Sequence, residues 1–143
     1  MGLAYAVWGA VLGYIDTPQF PVNLLPPETV YSAQSPSLFK LIEYDEEERW
    51  KEVERLAQEV EGTKFSVGQQ LYYQVHLFAN PRFLWKQEYD RLIEEFTLME
   101  TFHIPLAKSL DEAPAQKLRD FQIIKGEIVA LQKHTMEKQR GSK

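Results

Sequence analysis

The chain has 143 residues, with 16 Lys and Arg against 21 Asp and Glu and a formal net charge of −5. That length supports one domain with a core of its own, and the acidic balance argues against a nucleic-acid partner, which draws basic surfaces. The chain has no cysteine, which excludes disulfides, thiolate metal sites and cysteine nucleophiles.

Residues 1–39 hold only two charges, Asp16 and Glu28; the other 35 lie between Lys40 and Lys143. This split predicts two parts, an apolar arm over 1–39 and a charged helical body over 40–143. The run from Met1 to Ile15 has no charge. It lacks the basic start of a secretory signal and is shorter than the roughly 20 apolar residues of a membrane span. Ala6 stands where an N-myristoylation pattern wants Ser or Thr. Gly2, Gly9 and Gly13 interrupt the run, each costing a helix about 1 kcal/mol relative to Ala. Helix and strand both stay open for residues 3–15. Pro18, Pro21, Pro26, Pro27 and Pro36 follow and predict an extended, irregular path from Thr17 to Ser37, with a short turn near Pro27 to Val30. The arm is too rich in large apolar groups for a solvated linker. It either wraps its own body or reaches a neighbouring subunit; lipid contact is the least favoured course, because no Lys or Arg precedes Lys40.

The body reads as four helices. The first, about Asp45 to Glu61, begins on the acidic run Asp45 to Glu48, which suits a helix N-terminus; Trp50, Val53, Leu56, Ala57 and Val60 form its apolar face, and Gly62 ends it. The second, about Val67 to Ala79, opens on a capping-box pattern, Ser66 with Gln69, and carries Leu71, Tyr72, Val75 and Phe78. The third starts at Asn80-Pro81, an N-cap followed by proline, and ends before Pro105, with Leu84, Trp85, Tyr89, Leu92, Ile93, Phe96, Met99 and Phe102 along one stripe. The fourth runs from about Asp111–Pro114 to Lys138. There Leu118, Phe121, Ile124, Ile128 and Leu131 repeat at three and four residues, a seam that suits packing inside a bundle or a coiled coil with another subunit. Gly126 interrupts this helix and would admit a second helix closely. The expected fold is therefore mainly α, a small bundle of three to four helices with an extended apolar, Pro-rich N-terminal arm.

Chemistry has little support. His76, His103 and His134 fall on three different elements, without the spacing of a zinc site. Glu100-Thr101-Phe102-His103 is a single Glu-x-x-His element, and a bundle di-metal site needs two. Phosphate-binding, nucleotide-binding and nucleophile-elbow motifs are missing. In Arg82-Phe83-Leu84-Trp85-Lys86, basic and aromatic residues adjoin as in single-strand binders, but at a helix start those rings read as core. The expectation is a non-enzymatic structural or assembly subunit without cofactor or metal, docking into a larger protein complex or into copies of itself, in the cytoplasm or within a protein particle. A small adaptor, hub or completion protein of a phage-like particle, a virion component, is the example such a chain suits. The expected contact residues are Tyr5, Trp8, Gly9, Gly13, Tyr14, Ile15, Phe20, Leu24 and Leu25 of the arm and Phe121, Ile124, Ile128 and Leu131 of the last helix. A peripheral membrane protein and a small bundle enzyme or metalloprotein are the alternatives.

Overall fold

The uncharged N-terminal run forms helix α1, Gly2–Leu12, and this helix is the centre of the molecule. Leu3, Ala4, Tyr5, Ala6, Val7 and Trp8 are all buried. A helix that is apolar all round is stable only when neighbours surround it, and α1 has three. The computed structural model describes residues 1–13, 29–105 and 114–141. Within them the chain is mainly helical, with five α-helices and one two-stranded sheet. Helices α2 (Glu46–Glu59), α3 (Val67–Gln74), α4 (Gln87–Phe102) and α5 (Ala115–Gly141) follow α1, and α1 packs against α3, α4 and α5. The expected extended arm is thus corrected at its start: residues 2–12 are a core helix of the body. Glycine's cost in α1 is offset by burial and by close approach. A Cβ on Gly2 would stand 2.5 Å from the carbonyl oxygen of Leu84.

Strands β1 (Tyr31–Gln34) and β2 (Leu41–Tyr44) pair antiparallel, with Tyr31 opposite Tyr44 and Gln34 opposite Leu41. Neither was expected as a strand. Tyr31, Ala33, Ile42 and Tyr44 face the core, where Tyr44 is fully buried against Phe78.

Helix α2 starts as its sequence predicts. Asp45 caps it by accepting from the Glu48 N–H at 2.8 Å, and Glu46, Glu47 and Glu48 fill the first turn. Val53, Leu56 and Val60 are core, but Trp50 is 37% exposed and lies edge-on to Phe83. Arg49 and Glu52 take the inward positions beside Val53. Helix α3 opens on the expected Ser66 cap, which accepts from the Gln69 N–H. The expected single helix from Asn80 is corrected too. Asn80 and Pro81 start only a 3-10 turn over Pro81–Phe83, and α4 begins at Gln87. The break falls where Gly2 docks against Leu84. Helix α4 ends at His103, which takes the left-handed conformation, φ 54°.

Candidate functional site

The site is built from the β1–β2 connection and one carboxylate beneath it. Glu52 is fully buried on α2. Its Oε1 accepts from the Ser35 hydroxyl, from Tyr44 Oη at 2.7 Å and from Arg55 Nη2 at 2.9 Å, and its Oε2 accepts from the Ser37 hydroxyl. Arg55 Nε also donates to Ser37 Oγ at 3.1 Å. A buried carboxylate must find such donors or lose its charge. Burial alone pushes the Glu52 pKa up; hydrogen bonds from Ser35, Ser37, Arg55 and Tyr44 outweigh it and hold the carboxyl below its ordinary value. Tyr44 moves the other way: burial and then its hydrogen bond to Glu52 push its phenol well up, so it stays a donor.

This hub fixes the connection from Ser35 to Lys40. The Ser35 N–H donates to the Lys40 carbonyl at 2.8 Å and the Phe39 N–H to the Ser35 carbonyl at 2.9 Å, while the Leu38 N–H donates to Ser35 Oγ at 3.0 Å. One helical turn is closed and must then reverse into β2. The reversal falls on Phe39, φ 58°, a left-handed backbone that costs a residue with a Cβ about 1–2 kcal/mol. Its ring is 77% exposed. Leu41, on the outer face of the sheet, is 73% exposed, and Leu38 and Val30 also stand in solvent. Glycine or asparagine would make this turn at less cost. The loop is rigidly supported from below and apolar at its tip.

The contact residues expected from the sequence are placed differently. Tyr5, Trp8 and Gly9 lie inside the chain's own core. Trp8 is fully buried, its Nε1 donates to Glu127 Oε1 at 3.0 Å, and its ring meets those of Tyr72, Tyr73 and His134. A residue so enclosed offers no surface to another subunit. Gly13 is exposed at the end of α1, φ 83°, where only glycine turns without strain, and its carbonyl accepts from Tyr72 Oη. Tyr14, Ile15, Phe20, Leu24 and Leu25 lie outside the described residues. On α5 the seam of Phe121, Ile124, Ile128 and Leu131 belongs to the same core, with Phe121 edge-on to Phe96 at 5.6 Å. Packing inside the bundle, one of the two courses open to this seam, is the one observed. Away from the core Ile123, Val129 and Met136 of α5 stand exposed.

The histidines do not meet. His76 is in the 3-10 turn Val75–Leu77, His103 ends α4, and His134 lies on α5 between Gln69 Nε2 at 3.2 Å and Tyr73 Oη at 3.1 Å. Glu100 and His103 are both exposed. Among the described residues no group of three or more His, Asp or Glu is placed to hold a metal ion, and no helix is long and apolar enough to cross a membrane. Sequence reading missed the hairpin and the Glu52 hub. The one available signal was Arg49 and Glu52 falling at helical spacing within the apolar stripe of α2. Comparison of the chain with protein-family models, with curated proteins and with solved structures finds no match.

Proposed function

We propose that the chain is a non-enzymatic assembly subunit, which docks into a larger protein complex through the apolar tip of the β1–β2 hairpin. The observation that carries this reading is Phe39, held 77% exposed on a left-handed backbone above a buried carboxylate hub. An exposed aromatic on a preorganised support is the form of an interface anchor, because little ordering entropy is lost when it enters a partner's cleft. Leu38 and Leu41 widen the contact on either side of it.

Phe39→Gly tests the reading, since glycine keeps the turn and removes only the ring. Tagged wild-type chain, isolated from the organism that makes it, is expected to bring down a protein partner in fixed stoichiometry. Phe39→Gly is expected to lose that partner while melting at or slightly above the wild-type temperature. Equal recovery of the partner by both chains would refute the hairpin as the docking site. Flotation of the wild type with liposomes, lost in Phe39→Gly, would make the tip a lipid-dipping loop and would equally overturn the proposal.

A further inference from the structure

Helix α5 carries two seams. The inner one is in the core; the outer one runs Arg119, Ile123, Gly126, Ala130, Lys133 and Glu137, at steps of 4, 3, 4, 3 and 4 residues. That is the repeat of an antiparallel or parallel helix pair. Gly126 and Ala130 floor a groove of about 430 Å³, with Phe65 and Lys64 on one bank. A Cβ placed on Gly126 meets nothing within 4 Å, so no contact among the described residues accounts for a glycine at mid-helix. Ile123 is 40% exposed and Val129, beside the seam, 43%.

The order of residues selects the occupant. From this geometry we infer that the outer seam of α5 is a homodimer interface, closed by α5 of a second copy packed antiparallel about a two-fold axis level with residue 128. In that register Gly126 meets Ala130 of the other copy, and Ile123 meets the aliphatic stem of Lys133. Arg119 meets Glu137. Every contact then occurs twice, as a two-fold requires. The small central layer lets the helices approach closely, the Lys133 ammonium extends past the edge to water, and two opposite-charge pairs close the ends. Parallel packing would instead set each charge of the seam against its own copy. Among the described residues Arg119 pairs with Gln116 across an exposed turn, at 3.1 Å, and Glu137 is exposed, so both charges face solvent where the second copy would meet them. The proposed contact is remote from Phe39 in the chain and does not rest on the docking role of the hairpin.

The test uses the full chain, which has no native cysteine. The register sets Val129 on the flank of the contact, opposite residue 127 and two residues along the axis from its own copy. Val129→Cys is expected to form a covalent dimer under mild oxidation, and Gln132→Cys, further along the same helix, is not. Sedimentation equilibrium is expected to give a reversible dimer for the wild type. Arg119→Glu should weaken it about tenfold by turning two attractions into two repulsions, and Arg119→Glu with Glu137→Arg should restore it. Gly126→Leu should abolish the dimer while raising the melting temperature of the monomer, because the site is open. Phe39→Gly should leave dimerisation unchanged. A wild type that stays monomeric at its solubility limit would overturn the inference. So would a dimer that Gly126→Leu leaves intact, or one in which the charge swap fails to restore what Arg119→Glu removes.

Discussion

Replacing Trp8 tests whether α1 is the centre of the fold or an arm laid on it. Trp8→Ala removes a fully buried indole, and such a truncation costs about 3–5 kcal/mol. It also takes away the donor to Glu127 Oε1. Glu127 is itself buried, and a buried acceptor left without its donor adds about 1–3 kcal/mol. The sum, about 4–8 kcal/mol, is a large share of the roughly 5–15 kcal/mol by which an ordinary domain is stable. Trp8→Phe separates the two parts: the ring volume is largely kept, so the cost falls to that of the orphaned carboxylate, about 1–3 kcal/mol with a smaller packing loss. Changing Glu127 to Met in the Trp8→Phe background should recover part of it, since removing both polar partners together spares the desolvation. Urea unfolding followed by far-ultraviolet circular dichroism reads all four chains without depending on the indole itself. A Trp8→Ala cost below about 1 kcal/mol, or a chain lacking residues 1–13 that keeps its helicity and its cooperative transition, would refute the placement of α1.

Three further outcomes follow from named contacts. Glu52 has its folded pKa held below the ordinary value, so its contribution to stability is present above about pH 4.3, the unfolded carboxylate value. That contribution is lost as pH falls through the folded pKa. Glu52→Gln should be less stable at neutral pH and show a flatter acid limb in the same unfolding measurements. Gly68→Ala should destabilise by about 1–3 kcal/mol, because its Cβ would lie 2.6 Å from both the Ala4 carbonyl oxygen and Trp8 Cδ1. Gly126→Ala, where nothing stands within 4 Å, should stabilise by about 1 kcal/mol; opposite signs for these two glycines are the check. Phe39→Gly should be neutral or mildly stabilising, because relief of the left-handed backbone offsets the added freedom of the unfolded chain.

Periodicity made α2, α3, most of α4 and α5 readable, with the Asp45 and Ser66 caps at their starts. What periodicity cannot see is a helix with no polar face. In α1 there is no stripe to find, and its glycines count against a helix unless another backbone is known to approach. Gly2 meets the Leu84 carbonyl, and the facing Gly68 of α3 makes room for Ala4 and Trp8, but neither partner is named by local sequence. The absence of charge was the usable signal, since it marks a segment surrounded by protein. The same non-local contact explains the late start of α4: Asn80-Pro81 caps a turn as its chemistry dictates, and the helix resumes at Gln87 beyond Leu84, against which α1 docks. The hairpin was hidden because β1 and β2 are four residues each. Their pairing is fixed by Ser35, Ser37 and Tyr44 meeting a carboxylate from another element. On α5 the seam was legible and its owner was not, since a repeat of three and four residues says nothing about which chain fills it.

The position of α1 changes what an exposed apolar residue means in this protein. With Tyr5, Trp8 and their neighbours left outside, any further apolar group on the surface would be overflow from a core already full. With α1 in the centre, those side chains are consumed, and the groups that stay outside, Phe102 and Val11 among them, have to be told apart by what holds each one there. Phe39 is kept out by a left-handed turn and a buried hub; Ile123 and Val129 flank a helical glycine that none of the described residues fills. Neither arrangement is what folding alone would select, since glycine at 39 and alanine at 126 would each serve the monomer at least as well. The two sites also separate cleanly by experiment. A chain carrying both Phe39→Gly and Gly126→Leu should be monomeric, without its protein partner, and more stable than the wild-type monomer. If that double variant is instead less stable, Phe39 and Gly126 serve the fold, and both contact assignments lose the argument that supports them.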